Sequence, residues 1–464
     1  MFGGLRDKTY TDNRMPAGGG LLQLVATGKQ DAFLTGNPQI SFFKMVHRRH
    51  TSFSVESQPM YFDGTPNFGQ RISCLVPRRG DLLGKMYLEV TIPLIKDTSG
   101  NALSYTNSIG HSLIQEISFE VGEQEIDRQT GEWMEIWTQL TTPPGQRQAL
   151  NEMIGRFEPY NILGLKPGIQ SDGFRLLIPL QFYFCNNPGM YLPLLALQYS
   201  PIRINITLRP LKDLFWVPPP QPPGNQANWK PACTIQVDCT TPITNMMLWG
   251  EYVYLDVEER RRFVSESHEY LIEQVQYTPP HAVPAGQNTT TVHVEFNHPI
   301  KEMLFVIQRD SMRDRNEWFN YSNLAIGEVM PDSIRPYLNS NSPAGRLDLL
   351  TDAVLQLDGY DRFMVRPANY FRLQQPYDHH TVTPVNSFIY NYSFALRPED
   401  AQPTGTMNAS RIDSIVWQLN LNPVLSNANM EDWQKRGSCR IVVYGHNYNV
   451  FRVINGFGGL LFTI

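Results

Sequence analysis

Ile202-Arg203-Ile204-Asn205-Ile206-Thr207-Leu208-Arg209 carries the pattern that decides the fold class: an aliphatic side chain at every second position, polar ones between. Successive side chains of an extended chain point to opposite faces, so this stretch builds a strand with one face on a core. The alternation recurs outward from it in both directions. Upstream, Ile72, Cys74 and Val76 share a face, as do Met86, Leu88, Val90 and Ile92, with Glu89 and Thr91 opposite. Residues 116–121, a Gly122-Glu123 turn and residues 124–128 read as a hairpin. Downstream come Val292-Val294-Phe296, the aromatic row Phe388-Tyr390-Tyr392-Phe394, and Ile415-Trp417-Leu419-Leu421. Pro, Gly and Asn turns separate these segments, and the pattern predicts an all-β chain of sandwich type.

Helical signals are few. Trp133, Ile136, Trp137 and Leu140 stand at helical spacing and predict one short amphipathic helix over 131–140. Residues 258–263 (EERRRF) add a helical turn between strands. The run Trp216-Val217-Pro218-Pro219-Pro220-Gln221-Pro222-Pro223 is stiff and extended, suited to a spacer or a projecting loop. Met246 to Leu255 reads as the closing strand of a first domain, which places the boundary near 258–266 and makes 210–245 a long loop. The expected organisation is an arm at 1–26, a first domain at 27–257 and a second at 258–464.

Composition narrows the function classes. The 464 residues are 41% hydrophobic and 18% charged, enough for ordinary cores, and length allows two large β domains. Pro (35) and Gly (33) run modestly above their usual share beside 11% aromatics, a mix that favours strands joined by turns. A net charge of −5 supplies no general field for nucleic acid, and Arg6, Lys8 and Arg14 are offset by Asp7 and Asp12. Cys74, Cys185, Cys233, Cys239 and Cys439 lack CxxC spacing, against a disulfide framework or zinc ribbon. The start has no secretory pattern, and the charge-free stretch 176–202 is broken by Pro179, Pro188 and Pro193. A soluble protein made in a reducing compartment is expected.

Catalytic motifs are missing. Gly28-Lys29 lacks the upstream glycine of a phosphate cradle, Gly456-Phe457-Gly458-Gly459 ends in Leu461 where GxGxxG needs glycine, and GxSxG and HExxH do not occur. His293-Val294-Glu295 has no PCxxC downstream and reads as a solvated strand face. Asp378-His379-His380 is the densest set of metal-ligating types. Adjacent histidines on an extended chain diverge, and Pro376 and Pro384 suggest a rigid loop, so His379 and His380 are assigned a structural role. His47-Arg48-Arg49-His50 is a local positive patch that a neighbouring carboxylate would satisfy. Five N-glycosylation sequons, at Asn205, Asn288, Asn320, Asn391 and Asn408, match chance expectation. No pair of carboxylates stands out for glycoside hydrolysis, and a cupin would need a His-x-His pair that is not there. No cofactor, metal or catalytic residue is assigned.

Long collinear stretches resemble the major capsid proteins of the nucleocytoplasmic large DNA viruses. Gly19 to Ala26 leads into Leu34-Thr35-Gly36-Asn37-Pro38-Gln39-Ile40-Ser41-Phe42-Phe43-Lys44; Pro179-Leu180-Gln181-Phe182 is followed by Asn187-Pro188-Gly189. The second half adds Phe296-Asn297-His298-Pro299, Trp318-Phe319-Asn320-Tyr321, Asp361-Arg362-Phe363 and Gln375-Pro376-Tyr377-Asp378-His379-His380. The resemblance marks Asn37, Pro38, Asn187, Pro188, Gly189, Trp318, Phe319, Asp361, Arg362, Phe363, His379 and His380 as a structural signature.

That resemblance implies two tandem eight-stranded antiparallel jelly rolls, a double jelly roll with few short helices and long loops. It further implies homotrimers of pseudo-hexameric outline that meet neighbouring capsomers and minor capsid and penton proteins in an icosahedral shell. An internal membrane lies close beneath, reached through minor proteins, and the missing basic arm fits a shell with no direct nucleic acid contact. The expected location is the virion, with synthesis and assembly in the host cytoplasm. Two alternatives stand beside it: a minor capsid paralogue of the same fold, and a jelly-roll glycan-binding protein using a loop tryptophan such as Trp216 or Trp229.

Overall fold

The structure, a computed structural model, describes residues 18–96, 103–157, 174–216, 242–243, 245–324, 347–426 and 436–463. Contacts divide the chain into two units, Met1–Thr51 and Ser52–Ile464. In the first, helix α1 (Gly18–Val25) is followed by one helical turn at Ala32–Thr35. Leu21, Leu24, Phe33, Phe42 and Phe43 are exposed there, as are all four residues of His47-Arg48-Arg49-His50.

The second unit is built on antiparallel sheets. In chain order its first eight principal strands are β1 (Phe53–Met60), β2 (Arg71–Leu75), β3 (Leu82–Ile92), β4 (Ile114–Val121), β5 (Gln124–Thr130), β6 (Phe174–Pro179), β7 (Ile202–Leu208) and β8 (Asn245–Leu255). They pair as β1-β8-β3-β6 and β2-β7-β4-β5. The next eight are β9 (His268–Tyr277), β10 (Thr289–Val294), β11 (Pro299–Arg309), β12 (Leu350–Leu357), β13 (Tyr360–Asp361), β14 (Tyr390–Ser393), β15 (Ile415–Leu421) and β16 (Cys439–Ile454). Their orders are β9-β16-β11-β14 and β10-β15-β12-β13, the first pattern with every number raised by eight. Two four-stranded sheets woven in that order are a jelly roll, and the chain is a double one. Short strands extend the edges, among them Phe457–Leu460 against the end of β16.

Alternation explains the cores. Ile202, Ile204, Ile206 and Leu208 are buried, as are Ile72, Cys74, Met86, Leu88, Val90 and Ile92, and all of them join one apolar cluster. Val292, Val294, Ile415, Trp417, Leu419 and Leu421 do the same in the second roll. Each large aliphatic side chain so placed contributes roughly 1.5–3 kcal/mol of transfer free energy. The hairpin of β4 and β5 turns at Gly122, whose φ of +69° a side chain would disfavour.

Where alternation fails, a second layer is present. Glu89 lies opposite the core face of β3, yet it is buried, accepting from Arg175 Nη2 and Trp249 Nε1, both at 2.6 Å. On β11, Ile300, Met303, Phe305 and Ile307 enter the second core while Leu304 and Val306 enter a third cluster on the other face. Phe388 does not share a face with Tyr390 and Tyr392. It lies before β14 with φ +54° and turns into that third cluster, so the expected aromatic row is split.

The helix expected at 131–140 is α2 (Gly131–Thr141), capped by Thr130 Oγ1, which accepts from Trp133 N at 3.2 Å. A second helix, α3 (Pro144–Ile154), follows it, opened by Pro144 and closed by Gly155 in the left-handed conformation. The turn expected at 258–263 belongs to α4 (Val257–Ser265), with Asp256 at its N-cap. One expectation is corrected. Residues 375–379 are helical rather than a rigid loop: a π-helical turn, Tyr370–Gln374, runs into α5 (Gln375–His379). Pro376 stands just past that turn and has no N–H to bond back into it, and the helix passes the proline with the wider π-helical spacing just upstream.

Candidate functional site: the junction of the two rolls

Helix α2 belongs to the first roll by sequence, but its apolar face closes on the second. Trp133, Ile136, Trp137 and Leu140 pack with Val275 of β9, Leu304 and Val306 of β11 and Tyr444 of β16. The Trp133 and Trp137 rings stack at 5.5 Å, and His446 lies edge-on to Trp137 at 4.7 Å. From the other side, Ile272, Phe451 and Val453 of the second roll enter the core of the first.

Charged residues lie within this apolar junction. Glu302 on β11 stands opposite His446 on β16 in register, and a β-bulge between Ile300 and Glu302 brings Lys301 to the same region. Lys301 Nζ donates to Glu273 Oε1 at 2.6 Å and to the Pro398 carbonyl at 2.7 Å. His446 spans Glu273 at 3.4 Å and Glu302 at 3.3 Å. His380, just past α5, places Nε2 2.9 Å from Glu302 and Nδ1 2.8 Å from Glu399. Side chains of Glu302 and His380 are fully buried. Burial alone would lower the His380 pKa, but the Glu302 and Glu399 carboxylates raise it to about 9. Burial would likewise raise Glu302, and the two imidazoles hold it well below the ordinary carboxylate range. Against its own burial, Glu273 is held down at about 2 by His446 and Lys301. The network lies within the second roll, its imidazoles and carboxylates spent on one another, and it meets the first roll where His380 and His446 stand edge-on to Trp137.

A second buried network braces the first roll. Glu135 of α2 receives His111 Nδ1 at 2.6 Å and Arg156 Nη2 at 2.8 Å, with Gln139 Nε2 at 2.7 Å. Among the described residues no three His, Cys, Asp or Glu side chains are grouped to hold a metal. No helix there is long and apolar enough to cross a membrane.

The signature residues scatter over the fold. Asn37 and Pro38 lie exposed in the first unit. Asn187 Oδ1 accepts from Gly189 N at 2.9 Å, closing the turn through Pro188 beside a cleft of about 350 Å³ that Glu273 and Glu399 also line. Trp318 donates from Nε1 to the Asp213 carbonyl at 2.8 Å, tying the second roll to the first, and Phe319 is buried beside it in sequence. Asp361 accepts from Gln356 at 2.7 Å, Arg362 is exposed, and Phe363 packs on Tyr392 at 4.8 Å. His379 Nδ1 meets the Leu396 carbonyl at 3.0 Å. Only His380, Trp318 and the Asn187 turn reach the junction.

Other expectations resolve individually. His293 and Glu295 are exposed on their strand face. Cys74, Cys185 and Cys439 are free, buried thiols, pushed up to about 12, 12 and 11 by burial. Cys233, Cys239, Trp229 and Pro218 to Pro223 lie outside the described residues, as does the arm before Gly18. Trp216, offered as a loop tryptophan for glycans, is buried with Nε1 3.4 Å from Glu317 Oε1. Of the sequon asparagines, Asn205, Asn320 and Asn391 are buried, whereas Asn288 and Asn408 are exposed. Sequence reasoning missed Glu273, Lys301, Glu302 and His446. The available signal was charge within strands otherwise apolar, as in Ile300-Lys301-Glu302-Met303-Leu304-Phe305.

Two family descriptions cover this architecture: "Major capsid protein N-terminus" matches residues 41–256 and "Large eukaryotic DNA virus major capsid protein" matches residues 259–459. The major capsid protein of Phaeocystis pouchetii virus is 34% identical, over 96% of this chain and 99% of its own length. The chain belongs to the major capsid protein family of large eukaryotic DNA viruses. The major capsid protein of Paramecium bursaria Chlorella virus 1 is 33% identical over 96% of this chain and 99% of the relative. Among solved structures, PBCV-1 VP54, fitted into a cryo-EM reconstruction of the virophage Sputnik, superposes with a TM-score of 0.71 at 28% identity. It covers 91% of this chain and 100% of that one. The Faustovirus major capsid protein shares the fold with a TM-score of 0.68 at 12% identity. As a member of this family the chain is a structural component of the virion, not an enzyme, and it assembles with other capsid subunits.

Proposed function

We propose that this chain is the principal shell subunit of a large icosahedral double-stranded DNA virus, assembling as homotrimers that tile the capsid. The observation that carries this is the repeated strand order of the two rolls around a buried junction. Three copies of a rigid two-roll body present six similar lobes, and such an outline packs hexagonally from a single threefold contact. A shell subunit needs stiff sandwiches and lateral faces rather than convergent catalytic groups. On this reading the chain divides into an arm at 1–26, a first roll at 27–257 and a second at 258–464. The signature residues brace the body rather than contact a ligand. Neighbouring capsomers, minor capsid and penton proteins and a membrane reached through minor proteins are its partners, with assembly in the host cytoplasm. Quantitative mass spectrometry of purified virions tests the assignment. The chain is expected as the most abundant shell protein; a few copies per particle would make it a minor paralogue instead.

A further inference from the structure

A cleft of about 240 Å³ opens between the rolls on the Trp318 side of the junction, lined by Arg209, Arg313 and Arg440, by the carboxylates Glu116 and Glu132, and by Thr130, Thr278 and Tyr444 among others. Three guanidinium groups therefore meet in one recess, one from the first roll and two from the second. Their compensation is incomplete. Arg440 Nε is held by Asp310 at 2.8 Å, and Arg209 Nη2 by Glu132 at 2.5 Å. Arg209 is buried, however, and its Nε reaches no acceptor. Arg313 has no salt-bridge partner and no hydrogen-bond acceptor among the described residues; its guanidinium lies over the Trp318 ring at 4.8 Å, as that of Arg209 does at 3.7 Å. Burial, and then the charges of Arg440 and Arg209, push its pKa down, and the carboxylates of Glu132 and Asp310 offset this only in part.

The buried Nε–H of Arg209 without an acceptor is costly, Arg313 makes no close ion pair among the described residues although Glu132 and Asp310 lie within electrostatic reach, and a single oxyanion would serve both. A carboxylate offers two oxygens. A phosphate offers more, and these three forks of donors, with the Thr130, Thr278 and Tyr444 hydroxyls, can engage several of them together. The volume far exceeds one water's share of about 30 Å³. We propose that this cleft binds a phosphate group, free or carried on a nucleotide, which bridges Arg209 of the first roll to Arg313 and Arg440 of the second. Bound there, it clamps the two rolls to each other.

The test uses the purified full-length protein in its native oligomer, melted in sodium pyrophosphate and, separately, in sodium chloride of matched ionic strength. Pyrophosphate is expected to raise the melting temperature saturably, with about one site per chain by calorimetry. Arg313→Gln removes a side chain that makes no hydrogen bond or salt bridge among the described residues, so its melting temperature in chloride is expected to stay close to that of the parent. Its half-saturating pyrophosphate concentration is expected to rise about tenfold or more, the loss of one charge-assisted contact. ATP in a third arm distinguishes sources: equal saturation assigns the nucleotide's phosphates, and no response assigns the free anion. A response that tracks ionic strength alone, or one unchanged in Arg313→Gln, overturns the proposal. So does no saturable response to pyrophosphate at all, the result expected if a neighbouring chain's carboxylate already fills the recess.

Discussion

Glu302 is a carboxylate with no exposed side-chain surface, made tolerable by His380 at 2.9 Å and His446 at 3.3 Å. Removing one partner of such a pair leaves a desolvated charge, so His380→Gln is expected to cost about 3–5 kcal/mol, read from the midpoint of urea unfolding. Its pH dependence follows from the direction of the shift. His380 binds its proton more tightly folded, at about 9, than its ordinary 6.5, so its contribution is complete below 6.5 and lost as pH rises through about 9. The parent's stability should decline across that interval, and His380→Gln should flatten the decline; parallel profiles would contradict the assignment. Glu273 runs the other way: its contribution is complete above its ordinary 4.5 and fades as pH falls toward about 2. These two residues were legible to different degrees. The His379-His380 pair drew notice as possible ligands, whereas Glu273 carried no local pattern, because its partners come from residues 301 and 446.

At the scale of elements, α2 shows how a strand passes into a helix with no loop between them. Thr130 ends β5 and caps the helix, and Gly131 is its first residue. A Cβ at Gly131 would be driven into the carbonyl oxygens of His111 and Ile114, both backbone atoms that cannot move aside. Gly131→Ala is therefore expected to destabilise by about 3 kcal/mol, and Thr130→Ala by about 1 kcal/mol through loss of the cap. Thermal melts of the two variants check both values and their order. The sequence made the principal alternating strands visible because one face of each meets a core. It also showed the apolar stripe of α2, but not what that stripe covers. Helix α3 escaped notice because its apolar face amounts to little more than Leu150 and Ile154. The aromatic row at 388–394 misled for a related reason: with cores on both sides of a sheet, apolar residues no longer report a single face.

The two rolls behave as one body because chain from each completes the other. Beyond β16, Phe457–Leu460 turns back along Phe451–Ile454 and also fastens to the first roll. There Tyr199 N donates to the Gly456 carbonyl at 2.9 Å, Gly458 N to Ser200 Oγ at 3.2 Å and Leu460 N to Gln124 Oε1 at 3.0 Å. Deleting the residues after Ile454 is expected to split one calorimetric unfolding transition into two, as the rolls lose a shared clamp. A single undiminished transition would show that the junction suffices without it. Joined in this way, the rolls can act as one building block with two similar lobes, and the central claim concerns how many blocks make a capsomer. Absolute mass in solution, by size-exclusion chromatography with light scattering, tests it most directly. A homotrimer of the 53.1 kDa chain gives a mass of about 159 kDa; a monodisperse species at the mass of one chain would contradict the account.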